Sequence, residues 1–406
     1  MKIKIRYERL LSLLFLFPYF EGFLSSFIIY KNGAVFRIIL PVLLIAALVF
    51  CLLPVRGKYY VFHHHYKLEL LLPVYLTISL IFMKDRSLLS ISTFLWMISS
   101  IIFAVCFVSF FIARNLDIDC LLVDCIENFT ILCFLLIVRA IIVDHLFIDL
   151  SYRFNPPGGG AVIFGYTCTV FLALTIYYFN QLKHPYIIGI ILIVAIIGTM
   201  SRGAIWPAAL VVIIYFLTSA KESKNKLTIS IIVLSIGFIL SIFVPIILIQ
   251  IAPRLLETSD YSRQLTMRSV FKTLNWYSAK QRLFGLGLGN VYQYQQWLTD
   301  NKFNTDKFYN NFFVFHGNAI LVHPHNVYFY FLLETGIVSV ILFILPFVKY
   351  IYYSIKSKNL WMFILIAIIL FINFFDSIMI VEPGVAAMLY VIISLLYYKN
   401  SQQDYY

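Results

Sequence analysis

Three short polar segments interrupt an otherwise apolar chain, and each contains residues suited to phosphate or hydroxyl chemistry. The first segment, 198–204, places Thr199, Ser201 and Arg202 between two glycines. Arginine is always charged, and its planar fork of donors suits phosphate, especially beside low-dielectric hydrocarbon. An arginine that only reaches lipid headgroups would have the same surroundings, so the residue alone is compatible with both roles.

The second segment is a basic loop, 253–323, with eight Lys and Arg residues against four acidic ones. Arg263, Arg268 and Lys272 recur at intervals of five and four, so a helix would bring them loosely onto one side. The aromatic residues of this loop suit stacking on sugar rings or packing at a bilayer interface. An amphipathic helix lying on anionic lipid would show the same pattern.

The third segment is 323-HPHNVYFYFLLETG-336, where the chain becomes apolar again. His325 follows a proline and precedes Asn326, and histidine can accept a proton from a hydroxyl group near neutral pH. A structural role is the alternative for this histidine. Glu334 lies nine residues later, on a roughly similar helical face inside a predicted span. An unpaired carboxylate there is costly, so we expect it to pair with an arginine or stay protonated.

Other polar patterns give no strong prediction of a functional site. The 63-HHH-65 cluster is expected in a solvated cytoplasmic loop rather than in a metal site, and the acidic triplet 117-DID-119 suits a helix start. The glycines of 285-GLGLGN-290 do not follow a strand, so they do not predict a dinucleotide site. No metal ion or other cofactor is expected.

Composition determines the elements that must position these segments. The 406 residues are 62% hydrophobic and only 12% charged, against about 25% charged in soluble domains. We therefore predict an all-α fold, a polytopic transmembrane helical bundle of about twelve helices in a single membrane domain, 1–406. The predicted spans are 9–30, 34–53, 68–83, 88–113, 119–143, 161–180, 185–200, 203–218, 227–252, 324–348, 360–376 and 377–397.

The positive-inside rule predicts the orientation of these spans. With the N-terminus inside, every short loop on that side carries Lys or Arg, and the three polar segments fall on the opposite side. The basic loop then joins helices 9 and 10 as one large periplasmic loop containing short helices. The net charge of +12 is dispersed among loops rather than gathered on one face, which argues against nucleic acid as a partner.

Together, the SRGA at a helix break, the basic loop running into FGLGLGN and the HPHN segment resemble the bacterial O-antigen ligase and O-antigen polymerase superfamily. The resemblance covers about 198–340. It implies a metal-independent, inverting glycosyltransferase of the bacterial inner membrane, acting at the periplasmic face. Its implied partners are an oligosaccharide linked to undecaprenyl pyrophosphate, membrane lipid and a chain-length regulator protein.

The resemblance also implies residue roles. Arg202 matches the SRG arginine, and one of Arg263 and Arg268 matches the loop arginine, so that together they bind pyrophosphate; the choice between the two stays open. His325 matches the histidine of the HN motif, which acts as base or positions the acceptor. The catalytic candidates are thus Arg202, Arg268 and His325, and the substrate-binding candidates are Arg263, Ser201, Asn326, His323, Lys272 and Glu334.

The motifs do not separate a polymerase, whose acceptor is another lipid-linked repeat, from a ligase, whose acceptor is lipid A-core. An aromatic-rich loop suits recognition of one particular repeat unit, which favours the polymerase. A flippase of lipid-linked sugars or a solute transporter is the alternative from another class. The notable charges, including Arg139, gather at one predicted face, and this favours an enzyme that works in place.

Overall fold

A computed structural model describes most of the predicted helices. The described residues are 7–14, 45, 46, 49, 66–82, 88–143, 154, 156, 160–220, 270, 271, 273–288, 290, 291, 314, 315, 318, 319, 326–375 and 383–402. Most of the predicted spans 9–30 and 34–53, and all of 227–252, lie outside them. The predicted number of twelve spans therefore stays a prediction.

The described elements are almost all α-helices, which confirms the predicted all-α class. The helices are α1 Tyr7–Leu14, α2 Leu71–Phe82, α3 Leu88–Ala113, α4 Ile118–Val143, α5 Gly160–Tyr177, α6 Pro185–Gly198, α7 Arg202–Ala220, α8 Ala279–Phe284, α9 Val327–Glu334, α10 Gly336–Lys356, α11 Leu360–Phe375 and α12 Pro383–Gln402. Two-residue strands, β1 Val314–Phe315 and β2 Asn318–Ala319, pair antiparallel within the basic loop.

Several helices have the length and composition of membrane spans. Among the described residues, α4, α5 and α10 are long and apolar enough to cross a bilayer, and shorter apolar helices lie within α2, α3, α6, α7 and α11. On α10 the exposed large apolar residues are Ile337, Ile341, Val348, Tyr352 and Ile355. Their helical spacing forms one stripe, as expected for a face turned to lipid.

The chain divides into two compact units. The first comprises Met1–Val35, Asp117–Thr258 and Asn359–Ile368. Within it α5 packs against α6 and α7, and α1 packs against α4. The rings of Phe129 and Phe171 stack with centroids 4.1 Å apart. Asp117 accepts hydrogen bonds from the backbone N–H groups of Asp119 and Cys120, so this carboxylate caps the start of α4 as the sequence indicated.

The second unit comprises Phe36–Leu116, Ser259–Lys358 and Ile369–Tyr406. Here α12 packs along α3, and α10 packs against α2, α9 and α12. A buried carboxylate joins the turn before α2 to α10, because Glu69 accepts hydrogen bonds from the Tyr350 hydroxyl at 2.6 Å and Lys349 Nζ at 3.5 Å. Burial, and secondly the charge of Glu69, raise the pKa of Tyr66 well above its usual value.

The predicted span 324–348 is wrong as a single helix. The chain forms α9, breaks at Thr335 and begins α10 at Gly336, which has a φ of +77°. That left-handed conformation favours glycine and ends the regular hydrogen bonding of α9. Glu334 is therefore the last residue of an eight-residue helix rather than a residue within one long helix.

Candidate functional site

The start of α7 presents Arg202 in a tight turn between two apolar helices. Helix α6 ends at Gly198, and Met200 has a φ of +50°, rare for a residue with a side chain. Ser201 is buried and its backbone carbonyl accepts the N–H groups of Ala204 and Ile205 at 3.0 and 2.9 Å. Arg202 is half-buried as the first residue of α7. The helix break that the sequence predicted at Ser201 is thus confirmed.

A helix N-terminus of this kind suits an anion. The first N–H groups of a helix have no partner within the helix, and the helix dipole places partial positive charge at that end. Arg202 adds a full positive charge and several donors at the same place. The Arg202 side chain, at the positive end of the α7 dipole, is therefore suited to phosphate.

Helix α5 packs against this turn through glycine and hydroxyl residues. A β-carbon on Gly165 would lie 2.8 Å from Ala204 Cβ and 2.9 Å from Thr199 Oγ1, so α5 approaches closely only because Gly165 lacks a side chain. Thr169 Oγ1 donates to the carbonyl oxygen of Ala204 at 3.1 Å. The buried phenol of Tyr166 lies directly against Gly203, the residue after Arg202.

These residues of α5 are not among the predicted site residues. Their signal is the pair Gly165 and Thr169, two small residues four positions apart on an apolar helix, a spacing that allows close helix packing in membranes. The pattern is common, and it does not indicate which helix it contacts. Only the tertiary structure connects it to the Arg202 turn.

The start of α9 is the second motif region. Asn326 is buried as the N-cap of α9; its Oδ1 accepts the N–H of Phe329 at 3.0 Å, and its Nδ2 donates to the carbonyl oxygen of Phe374 at 2.8 Å. The amide therefore joins the helix start to α11 and uses its donor and acceptor within the fold. The structure gives Asn326 a structural role, and its substrate-binding role stays a prediction.

The far end of α9 contacts the basic loop through two glycines. A β-carbon on Gly285 would overlap the carbonyl oxygen of Glu334, and one on Gly336 would overlap that of Leu283. The N–H of Gly287 donates to the Glu334 carbonyl at 2.7 Å. Gly285 and Gly287, which the sequence left without a role, therefore allow the loop backbone to lie against the break between α9 and α10.

Apolar packing strengthens the contact between the basic loop and α9. Val270, Tyr277, Val291 and Leu333 form a buried cluster, and Phe329 packs at its edge. The rings of Phe271 and Phe329 meet edge-on at 5.5 Å, and the Tyr277 hydroxyl donates to the Leu333 carbonyl at 2.9 Å. The loop segment around 270–291 and α9 thus form one packed body within the second unit.

The structure describes four of the nine predicted site residues. Ser201 and Arg202 lie together at the start of α7, and Asn326 and Glu334 lie at the two ends of α9; Glu334 is buried. Arg263, Arg268, Lys272, His323 and His325 lie outside the described residues. Their roles stay predictions.

The comparisons with known proteins concern this same part of the chain. Residues 187–344 match the family model described as O-antigen ligase. The match includes the Arg202 turn, the basic loop, α9 and the first part of α10. No curated protein matches the chain.

The family match confirms the superfamily resemblance drawn from the three motifs. Members of this family are glycosyltransferase-like enzymes of surface-polysaccharide assembly. Together with the apolar helices, the match indicates a membrane-embedded protein. Over residues 187–344, the chain is similar to the O-antigen ligase family.

Proposed function

We propose that the protein is an O-antigen polymerase of the bacterial inner membrane. It transfers a glycan chain from undecaprenyl pyrophosphate to a lipid-linked repeat unit at the periplasmic face. The observation that carries this proposal is the placement of half-buried Arg202 as the first residue of α7, inside the segment that matches the family. An arginine at a helix N-terminus suits the pyrophosphate of such a donor.

The proposed reaction needs few protein groups because glycosyl pyrophosphate is already activated. The acceptor hydroxyl gives its proton to a base and its oxygen bonds to the anomeric carbon. The bond from that carbon to the pyrophosphate oxygen breaks, undecaprenyl pyrophosphate leaves and the configuration inverts. Arg202 and a second arginine stabilise the negative charge on the leaving group, with His325 as the base. The proposed step uses no metal ion.

The contact between Phe271 and Phe329 supports Arg268 rather than Arg263 as the second arginine. Arg268 precedes Phe271 by three residues, and His325 precedes Phe329 by four. Arg263 is eight residues from Phe271. The shorter connection in the chain to this aromatic contact favours Arg268.

The second candidate function is O-antigen ligase, because the matching family model carries that description. A ligase would use the same donor and the same charged residues but would transfer the glycan to lipid A-core. We prefer the polymerase because the aromatic-rich loop suits one particular repeat unit. The acceptor distinguishes the two candidates.

The test is a gel of surface polysaccharide from a deletion strain complemented with wild type, Arg202→Ala or His325→Ala. A polymerase predicts that both variants leave a single repeat on lipid A-core, since ligation persists without elongation. Loss of all glycan from lipid A-core, with long chains accumulating on undecaprenyl pyrophosphate, would establish the ligase. An unchanged ladder would contradict both and favour a transporter.

Two matched comparisons sharpen this test. Lys183→Ala removes an exposed basic residue from the turn between α5 and α6 and is expected to leave the ladder unchanged. Arg268→Ala is expected to abolish elongation, and Arg263→Ala to weaken it less. The reverse order would assign the second pyrophosphate arginine to Arg263. Membrane insertion of every variant is checked by immunoblot of the membrane fraction.

A further inference from the structure

One part of the basic loop exposes apolar and basic side chains next to each other. Trp276, Leu283 and Phe284 are 46%, 47% and 51% exposed. Lys280 and Arg282 are exposed on the same short helix, α8. No acidic residue occurs between 270 and 291. This segment, 276–284, therefore combines exposed apolar side chains with a local excess of positive charge.

The segment is held in place on its buried side. Ser278 and Gln281 form a reciprocal cap at the start of α8, with hydrogen bonds of 2.9 and 3.3 Å. Tyr277, a residue of the segment itself, is buried against Leu333 of α9. The backbone that carries the exposed side chains is therefore fixed against α9.

The position of this surface relative to the membrane follows from its contact with α10. The backbone of Leu283 and Phe284 lies directly against Gly336, the first residue of α10. Helix α10 is long and apolar enough to span a bilayer, and Ile337 and Ile341 in its first turns are exposed. Leu283 and Phe284 therefore lie beside the start of an apolar helix of membrane-spanning length.

We infer that residues 276–284 bind the surface of the bilayer and prefer lipids with anionic headgroups. Trp276, Leu283 and Phe284 enter the boundary between headgroups and acyl chains, where exposed aromatic and aliphatic residues are stable. Lys280 and Arg282 bind headgroup phosphates, and anionic lipid supplies the complementary charge. The contact anchors the loop, and with it α9, at headgroup level. This inference holds whether the enzyme is a polymerase or a ligase.

Tryptophan quenching in nanodiscs tests the inference on the full-length protein. Wild type and Trp276→Phe are reconstituted in mixtures of phosphatidylcholine and phosphatidylglycerol with bromine on the upper acyl chain of one lipid. The difference between the two proteins isolates the emission of Trp276 among the five tryptophans. We expect bromine to quench this emission, and aqueous acrylamide to quench it weakly. Trp206, which is exposed on α7, is the reference tryptophan. Its emission is isolated in the same way, from the difference between wild type and Trp206→Phe.

Lipid preference is measured by moving the bromine between the two lipids at equal mole fraction. We expect brominated phosphatidylglycerol to quench Trp276 about two-fold more strongly than brominated phosphatidylcholine, because each nearby cation attracts anionic lipid. Lys280→Gln with Arg282→Gln is expected to remove the difference. Lys183→Gln, which removes an exposed lysine elsewhere, is expected to retain it.

Three results would overturn the inference. Strong acrylamide quenching without bromine quenching would place Trp276 in water. Protection from both quenchers would mean that protein, such as a second copy of the chain, covers the surface. Equal quenching by the two lipids would remove the preference for anionic headgroups. If Trp276→Phe fails to insert, Phe284→Trp in the wild-type chain supplies the signal, judged by the same criteria.

Discussion

The starts of α7 and α9 both belong to the motifs, but different contacts hold them. At α7 the backbone turn is held by close packing, with Gly165 and Tyr166 of α5 against Thr199, Gly203 and Ala204. At α9 the start is held by hydrogen bonds from the side chain of Asn326. The first region is therefore sensitive to added volume, and the second to the loss of a donor or acceptor.

The two helix starts also differ in what they offer a ligand. The α7 start carries half-buried Arg202 directly on the helix, whereas the Asn326 amide at the α9 start already uses its donor and acceptor within the fold. We therefore expect changes at Arg202 to affect activity and changes at Asn326 to affect mainly stability. The following variants test that difference.

The largest expected effect is on activity. Arg202→Ala is expected to reduce glycan transfer by about 100-fold or more, because it removes charged donors from the leaving group. Arg202→Lys is expected to remain strongly impaired, because an ammonium group lacks the bidentate fork. The measurement is the rate of chain extension in membranes with a lipid-linked repeat as substrate.

The melting temperature of both Arg202 variants in detergent should stay close to that of wild type. Full activity in either variant would remove Arg202 from the site. A large fall in melting temperature would instead mean that the arginine holds the turn.

The next largest effect is on stability at the contact between α9 and the basic loop. Gly336→Ala forces a side chain onto a residue with a φ of +77° and against the backbone of Leu283. We expect a loss of about 3 kcal/mol in the free energy of unfolding. Thermal unfolding in detergent measures it.

Gly189→Ala is the matched control for Gly336→Ala. Gly189 lies within α6, and a β-carbon there would have open space around it. This variant should unfold at the wild-type temperature or slightly above it, since alanine favours a helix. Equal losses in the two variants would contradict the close approach at Gly336.

A smaller loss is expected at the α7 turn. Gly203→Ala places a methyl group against the Tyr166 hydroxyl, so the phenol must shift, at a cost of about 2 kcal/mol. Tyr166→Phe removes the oxygen nearest to that methyl group. In a double-mutant cycle measured by thermal unfolding, the double variant should lose less stability than the sum of the two single variants. Simple additivity would mean that the phenol does not hold the turn.

The smallest expected loss is at Asn326. Asn326→Ala removes the cap of α9 and the bond to the Phe374 carbonyl, for about 1.5 kcal/mol in total. Asn326→Asp retains the capping acceptor but loses the donor and faces that carbonyl with a carboxyl group. Thermal unfolding of the two variants should therefore separate the two hydrogen bonds. An unaffected Asn326→Asp protein would show that the bond to Phe374 contributes little.

The main features of the helices were predictable from the sequence because hydropathy is a local property. The prediction of 88–113 coincides with α3 Leu88–Ala113, and the break at Ser201 precedes α7 as expected. The prediction of a single span over 324–348 was wrong for the same reason. Apolar residues lie on both sides of 334-ETG-336, so hydropathy averaged over a window merges α9 and α10 into one span.

The candidate site was predictable only where a motif carries its own chemistry. Arg202 is conspicuous because a charge beside an apolar helix requires a reason. Tyr166 and Gly165 are ordinary residues of an apolar helix, and their relation to the Arg202 turn depends on how α5 packs. Gly285 and Gly287 likewise acquire a role only from contact with Glu334, about fifty residues away.

The amino-acid sequence by itself determined the membrane character of the chain, the limits of several helices and the place of Arg202 at a helix start. These features follow from transfer free energies and chain breaks within a few adjacent residues. The tertiary structure decided which helix supports the Arg202 turn, where α9 ends and which loop residues lie beside the start of α10. Those features depend on shape complementarity between residues far apart in the chain, which no local pattern encodes.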